Sequence, residues 1–171
     1  MNKVSKFLLI CVAFFAMSGM VSAQVKIAHV NTAEILDAMP EKARAEKDLE
    51  KYYGELESQL KVMATEYQNK MQDYEANQAT MSNLVKQSKE KEIIDLQGRI
   101  TEFQGNAENE FAAKREQLLK PILDKIQKAI NDVGAEKGYT YILDVATGTA
   151  VYIGASAVDA TKDVKSKLGI K

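Results

Sequence analysis

From Pro40 to about Gly134 the chain carries roughly 95 residues with one internal proline, Pro121, and apolar residues recurring at spacings of three and four. That pattern predicts two long helices and little else. An outgoing helix from Pro40 to about Ala79 is about 60 Å long at about 1.5 Å per residue. A compact globule of this chain is only about 40 Å across, from a radius of gyration near about 15 Å. The helix cannot fit inside such a globule, so the chain must project an arm. Function is to be sought on a surface that reaches outward, not in an enclosed pocket.

The outgoing helix carries Leu49, Tyr53, Leu56, Leu60, Met63 and Tyr67, spaced as a heptad seam. Beyond Tyr67 the seam fails: Lys70 takes the next position, leaving Met71, Tyr74, Met81 and Leu84 as scattered apolar groups. Asn77, Thr80, Ser82 and Asn83 favour a turn near Thr80, with Ser82 as N-cap of the return. The return helix shows a matching seam, Ile93, Leu96, Ile100, Phe103, Ala107 and Phe111. Folding back at Thr80 sets Tyr67 against Ile93, Leu60 against Ile100 and Tyr53 against Ala107. A turn some three residues later shifts this pairing by a heptad. After Phe111 the spacing changes, and Pro121 is expected to kink the helix where the arm rejoins its base. Gly54, Gly98 and Gly105 lie inside the helices, each costing about 1 kcal/mol relative to Ala. They fit either drift on a solvated face or a device that softens the arm.

Both ends of the chain supply the base. Val25 to Val30 reads as a β-branched strand, and Asn31 or Thr32 can cap a short helix, Ala33 to Met39. Pro40 then opens the long helix, with Glu41 suited to its dipole. Gly138 ends the return helix. Tyr139 to Val145 reads as a second strand, Thr147-Gly148 as a turn and Ala150-Val151-Tyr152-Ile153 as a third strand. Asp159 is expected to cap a last helix closed by Gly169. The fold class is α+β: a body of residues 24–39 and 135–171, with three short strands and two short helices, interrupted by a helical hairpin arm at 40–134. So thin a body leaves sheet edges open and calls for homo-oligomerisation.

Residues 1–23 read as a signal peptide: Lys3 and Lys6, then an apolar stretch from Phe7 to Met17, then Val21-Ser22-Ala23 before the scissile bond. A retained anchor is the alternative, although eleven apolar residues are too few to span a bilayer. Cys11 leaves with this segment, so the mature chain, beginning at Gln24, has no thiol chemistry and no disulfide. Removing Lys3 and Lys6 leaves 21 basic residues against 24 acidic ones, a net charge of −3. Clustered Lys and Arg, as nucleic acid requires, are absent from the sequence.

No catalytic constellation is read. His29 is the only histidine, mid-strand, without a second His or Cys for a metal. Asp144, among apolar residues, can be a perturbed carboxylate or a partner for a turn or a neighbouring subunit. Gly148 and Gly154 lack a phosphate-loop ending. The expectation is no enzyme and no cofactor. On the arm, Met63, Tyr67, Met71, Tyr74, Met81 and Leu84 can either pack the helices together or bind varied apolar partners. Several arms around one body would enclose a space that holds an unfolded chain by many weak contacts, without ATP. Lys86, Lys89 and Lys91 can touch acidic partners or anionic headgroups, though Glu90 and Glu92 interleave with them.

The strand Lys26-Ile27-Ala28-His29-Val30-Asn31, the long hairpin, Pro121-Ile122, the segment Gly138 to Asp144 and Asp159-Ala160-Thr161-Lys162-Asp163-Val164 together resemble the Skp/OmpH family. The resemblance implies a periplasmic, ATP-independent holdase chaperone for unfolded outer-membrane β-barrel proteins. It further implies a homotrimer whose strands form a small central barrel beneath three arms. The net charge of −3 departs from a family often described as basic, which weakens the case for binding anionic lipid or lipopolysaccharide. An envelope adaptor that docks one defined partner at a compact apolar tip is the competing reading.

Overall fold

A computed structural model describes residues 25–148 and 150–170. The segment read as a signal peptide, including Lys3, Lys6, Cys11 and the Ala23–Gln24 bond, lies outside the described residues.

The chain enters as strand β1 (Ile27–Val30) and turns at once into helix α1 (Thr32–Ala38). Of the two expected caps it is Asn31 that serves, its side-chain oxygen accepting from the Glu34 N–H at 3.1 Å. Met39 is extended, and Pro40 opens helix α2 (Pro40–Asn77) in its first turn, where a missing N–H leaves nothing unpaired. At 38 residues, α2 is about 57 Å long. The chain reverses through residues 78–82. Ser82 then caps helix α3 (Asn83–Lys137), its hydroxyl accepting from the Val85 N–H at 3.4 Å.

Helix α3 runs through Pro121 without a break. Pro121 faces solvent there, so water can satisfy the carbonyl one turn back that the ring leaves without its N–H donor. Gly138, at φ 67°, ends the helix in the left-handed region that other residues enter only with strain.

Two further strands, β2 (Tyr141–Asp144) and β3 (Val158–Asp159), flank β1 in a parallel sheet ordered β2-β1-β3. The third strand is therefore not at Ala150–Ile153, as the local pattern predicts. Those residues lie outside any strand, with Val151 99% and Tyr152 86% exposed. Alternation alone does not make a strand; the second side of β1 is taken by Val158–Asp159 instead. Helix α4 (Thr161–Leu168) closes the chain at Gly169, as expected. Its capping position falls on Ala160 rather than Asp159, but the Asp159 carboxylate still accepts from the Thr161 N–H at 2.8 Å.

One core gathers all of this. Ala28 and Val30 of β1 turn toward Ile35, Met39, Ala45, Ile122, Ile126, Ala129, Val133, Ala160 and Val164. The roots of both long helices thus belong to the same packing unit as the sheet. Asp144 ties the two ends of the chain together: its carboxylate accepts from the Thr32 N–H at 3.2 Å, the Thr32 hydroxyl at 2.6 Å and the Ala146 N–H at 3.0 Å. Burial pushes this carboxyl up, but the three bonds outweigh it and hold the group below its ordinary value.

Candidate functional site

The paired part of α2 and α3 carries few buried side chains. Ala45 at the root and Ile93 and Leu96 in the distal half are buried; the rest of the seam is half-covered or open. Tyr53 packs edge-on against Phe111, with ring centroids 5.9 Å apart and planes at 74°. The reversal is centred on Thr80, between Asn77 and Asn83, and the Tyr53 ring sits with Ala107 and Phe111 in one cleft. Leu56, Leu60, Phe103 and Ala107 share a cleft of about 440 Å³ with this aromatic pair.

Polar bonds lock the distal arm where the apolar seam fails. Lys70 Nζ donates to Glu92 at 2.9 Å, Lys89 Nζ to Asp73 at 2.8 Å, and the Tyr74 hydroxyl to Glu90. Nearer the root, the Tyr52 hydroxyl donates to Glu110 at 2.8 Å. Hydrogen bonding to Lys89 holds the Asp73 carboxyl below its ordinary value, and Lys70 does the same for Glu92. These pairs are solvent-exposed and contribute orientation more than stability. Of the three tip lysines, Lys89 is therefore engaged within the hairpin. Lys86 is half-buried and Lys91 exposed.

Among the residues expected to bind a partner, Leu84 stands out into solvent at 78% exposure, while Met63, Tyr67, Met71, Tyr74 and Met81 are half-buried. Two other apolar side chains, absent from the seam, project further than those five: Val62 at 65% and Ile94 at 66%. Each is next to a seam residue, Met63 or Ile93, and lies off the seam itself. Apolar positions that break the heptad pattern were the signal for them. Val62 stands where two shallow clefts meet, of about 520 and 680 Å³. Met63, Arg99 and Phe103 line the first; Lys61, Glu66 and Lys70 line the second. Such a surface, with isolated apolar groups set among both signs of charge, can make many weak contacts but cannot enclose a small molecule. Among the described residues no cluster of potential metal ligands occurs, and no helix is long and apolar enough to cross a membrane.

At the base, the sheet has a second surface. Ala28 and Val30 point into the core, so Ile27 and His29 point out, with Tyr141 and Leu143 as their ladder partners on β2. Tyr141 and Leu143 are 60% and 52% exposed. The segment Val151–Ile153 adds three more exposed apolar side chains to the body.

Residues 26–168 match the profile of a family described as "Outer membrane protein (OmpH-like)". The chain is 29% identical over 149 residues to the "Chaperone protein Skp" of Pectobacterium atrosepticum, covering 87% of this chain and 88% of that one. It is likewise 29% identical over 160 residues to the "Chaperone protein Skp" of Photorhabdus laumondii, covering 91% and 95%. The fold is similar to that of a putative outer membrane chaperone (OmpH-like) from Caulobacter crescentus, with a TM-score of 0.71, 13% identity, and 83% and 82% of the two chains covered.

Proposed function

Because the chain belongs to the family of OmpH-like outer membrane proteins, we propose that it is an ATP-independent holdase chaperone of the periplasm that shelters unfolded outer-membrane β-barrel proteins between helical arms. In this reading the chain is exported by residues 1–23 and cleaved after Ala23. Residues 24–39 and 135–171 form the association body, and residues 40–134 form the arm. Three copies join through their sheets into a central barrel, and the arms surround the client.

One observation carries the reading: the exposed Val62, Leu84 and Ile94 stand apart from one another along the arm instead of gathering into one pocket. An unfolded chain offers apolar side chains at irregular intervals, so many weak and adaptable contacts suit it better than one shaped pocket. Met63, Tyr67, Met71, Tyr74 and Met81, half-buried between the helices, extend that surface where the arm flexes. Holding needs no nucleotide and no catalytic residue. Lys86 and Lys91 offer at most weak contact with anionic headgroups.

The test is dilution of a urea-unfolded β-barrel membrane protein into buffer with the purified mature protein and no nucleotide. The expected result is a soluble client in a complex; aggregation equal to that in buffer alone contradicts the proposal. A second reading, an adaptor that docks one defined partner, draws on the side-by-side exposure of Leu84 and Val85 beside the turn. Replacing both with Ser separates the two: an adaptor loses binding outright, whereas a holdase with distributed contacts keeps most of its protection.

A further inference from the structure

The outward face of the sheet is not uniformly apolar. His29 occupies the central strand, with Leu143 beside it on β2 and Asp159 beside it on β3. Its side chain is only 17% exposed in the single chain, and its Nε2 lies 4.0 Å from the Asp159 Oδ1, whose side chain is 57% exposed. Hydrogen bonding from Thr161 keeps the Asp159 carboxyl below its ordinary value, so this group stays ionised through the neutral and mildly acidic range. The other charges near the pair are few. Lys162 acts on Asp159 from the edge of the sheet and is exposed. Lys26 is turned away to the Lys137 carbonyl and the Tyr139 ring. On β2, Tyr141 and Leu143 bring no charge to this face at neutral pH.

Resting on the reading that copies of this chain cover the sheet, we propose that His29 and Asp159 form a proton-linked contact that tightens self-association as the pH falls. A second copy is the occupant to expect, because the thin body and its exposed Tyr141, Leu143, Val151 and Tyr152 need cover whenever the chain exists, and a like chain is always at hand. Covering the face withdraws the Asp159 carboxylate from water, which is costly without a compensating charge. The cation within 4.0 Å is His29, and only in its protonated form. Assembly therefore takes up protons. A group that binds its proton more tightly in the assembled state adds stability below the free imidazole range, near about pH 6.5, and that stability is lost as the pH rises through it.

Sedimentation of the mature protein over a dilution series tests this at about pH 5.5 and about pH 8, where imidazole changes charge and ordinary carboxylates do not. The expected dissociation constant is about three- to tenfold lower at the acidic pH, the scale of one partly exposed ion pair. In H29Q and in D159N that pH dependence disappears. The chain has a single histidine, so its ring proton resonances give a second readout: their titration midpoint is higher in concentrated than in dissociated samples. Association that is independent of pH, weakens on acidification, or keeps its slope in H29Q overturns the proton linkage alone. A protein that stays monomeric at every pH and concentration overturns the assembly on which it rests.

Discussion

Asp144 shows how much one side chain can hold in a body this small. Its carboxylate receives the first N–H and the hydroxyl of α1 at Thr32 and the turn N–H of Ala146, and so joins residues that are 112 apart in sequence. Removing it leaves partly buried donors without their acceptor. D144A is expected to lower stability by about 2 kcal/mol, read from urea unfolding with an unchanged denaturant slope. The sign with pH follows from the depressed folded-state value. The stabilisation is complete above the unfolded aspartate value of about 3.9 and is lost as the pH falls through the lower folded value. D144A should therefore flatten the acid limb of the stability curve; a parallel limb in wild type and variant would argue against this role. Sequence pattern marked Asp144 as unusual because a charged residue closes an apolar strand. It did not identify Thr32, since nothing local relates two residues brought together by parallel pairing of β1 with β2.

At the scale of elements, the parts readable in advance are those decided by local chemistry. Pro40, Asn31, Ser82, Gly138 and Gly169 each satisfy or terminate a helix end by themselves, and each sits where expected. Strand β3 was not legible: its two residues are too short to show a period, and it exists because β1 offers an edge beside Ala28 and His29. The contrary error at Ala150–Ile153 has the same cause. Arm register was legible only to within a heptad, because the polar turn at 78–82 fits more than one pairing; the bonds Tyr52–Glu110, Lys70–Glu92 and Lys89–Asp73 fix it close to a fold-back at Thr80. Gly98 and Gly105 allow a direct test of arm stiffness, since a methyl group at either would meet no atom within 4 Å. Changing both to Ala should stabilise the helix by about 1 kcal/mol per site and slow amide exchange along α3. If exchange is unchanged or faster, the glycines serve a packing need that open space does not reveal. Slower exchange together with poorer protection of large clients would identify them as the source of arm flexibility.

For the whole molecule, two surfaces expose apolar groups. The body has a small core on one side of the sheet and exposed Tyr141 and Leu143 on the other, and the arm has its apolar groups spread out and apart. In the proposed account the first surface joins copies and the second holds the client. L143D, which puts a charge where copies would meet, should dissociate the assembly while the helix content of each protomer persists; light scattering and circular dichroism together read both. That the long helices must project was legible from their length alone, since about 57 Å of α2 cannot fold into a small globule. That their roots, Ala45, Ile122, Ile126, Ala129 and Val133, belong to the core of the body was not. The proposed client surface was legible only in part. A seam reading keeps the residues at heptad positions, whereas Val62 and Ile94 lie off the seam and are exposed. The most direct test of the central claim replaces Tyr67 to Ile93 with a short glycine linker and measures mass and client protection on the same sample. The account predicts a particle of three shortened protomers that no longer keeps an unfolded β-barrel protein in solution. A shortened chain that falls to monomers, or one that still protects its client in full, would contradict it.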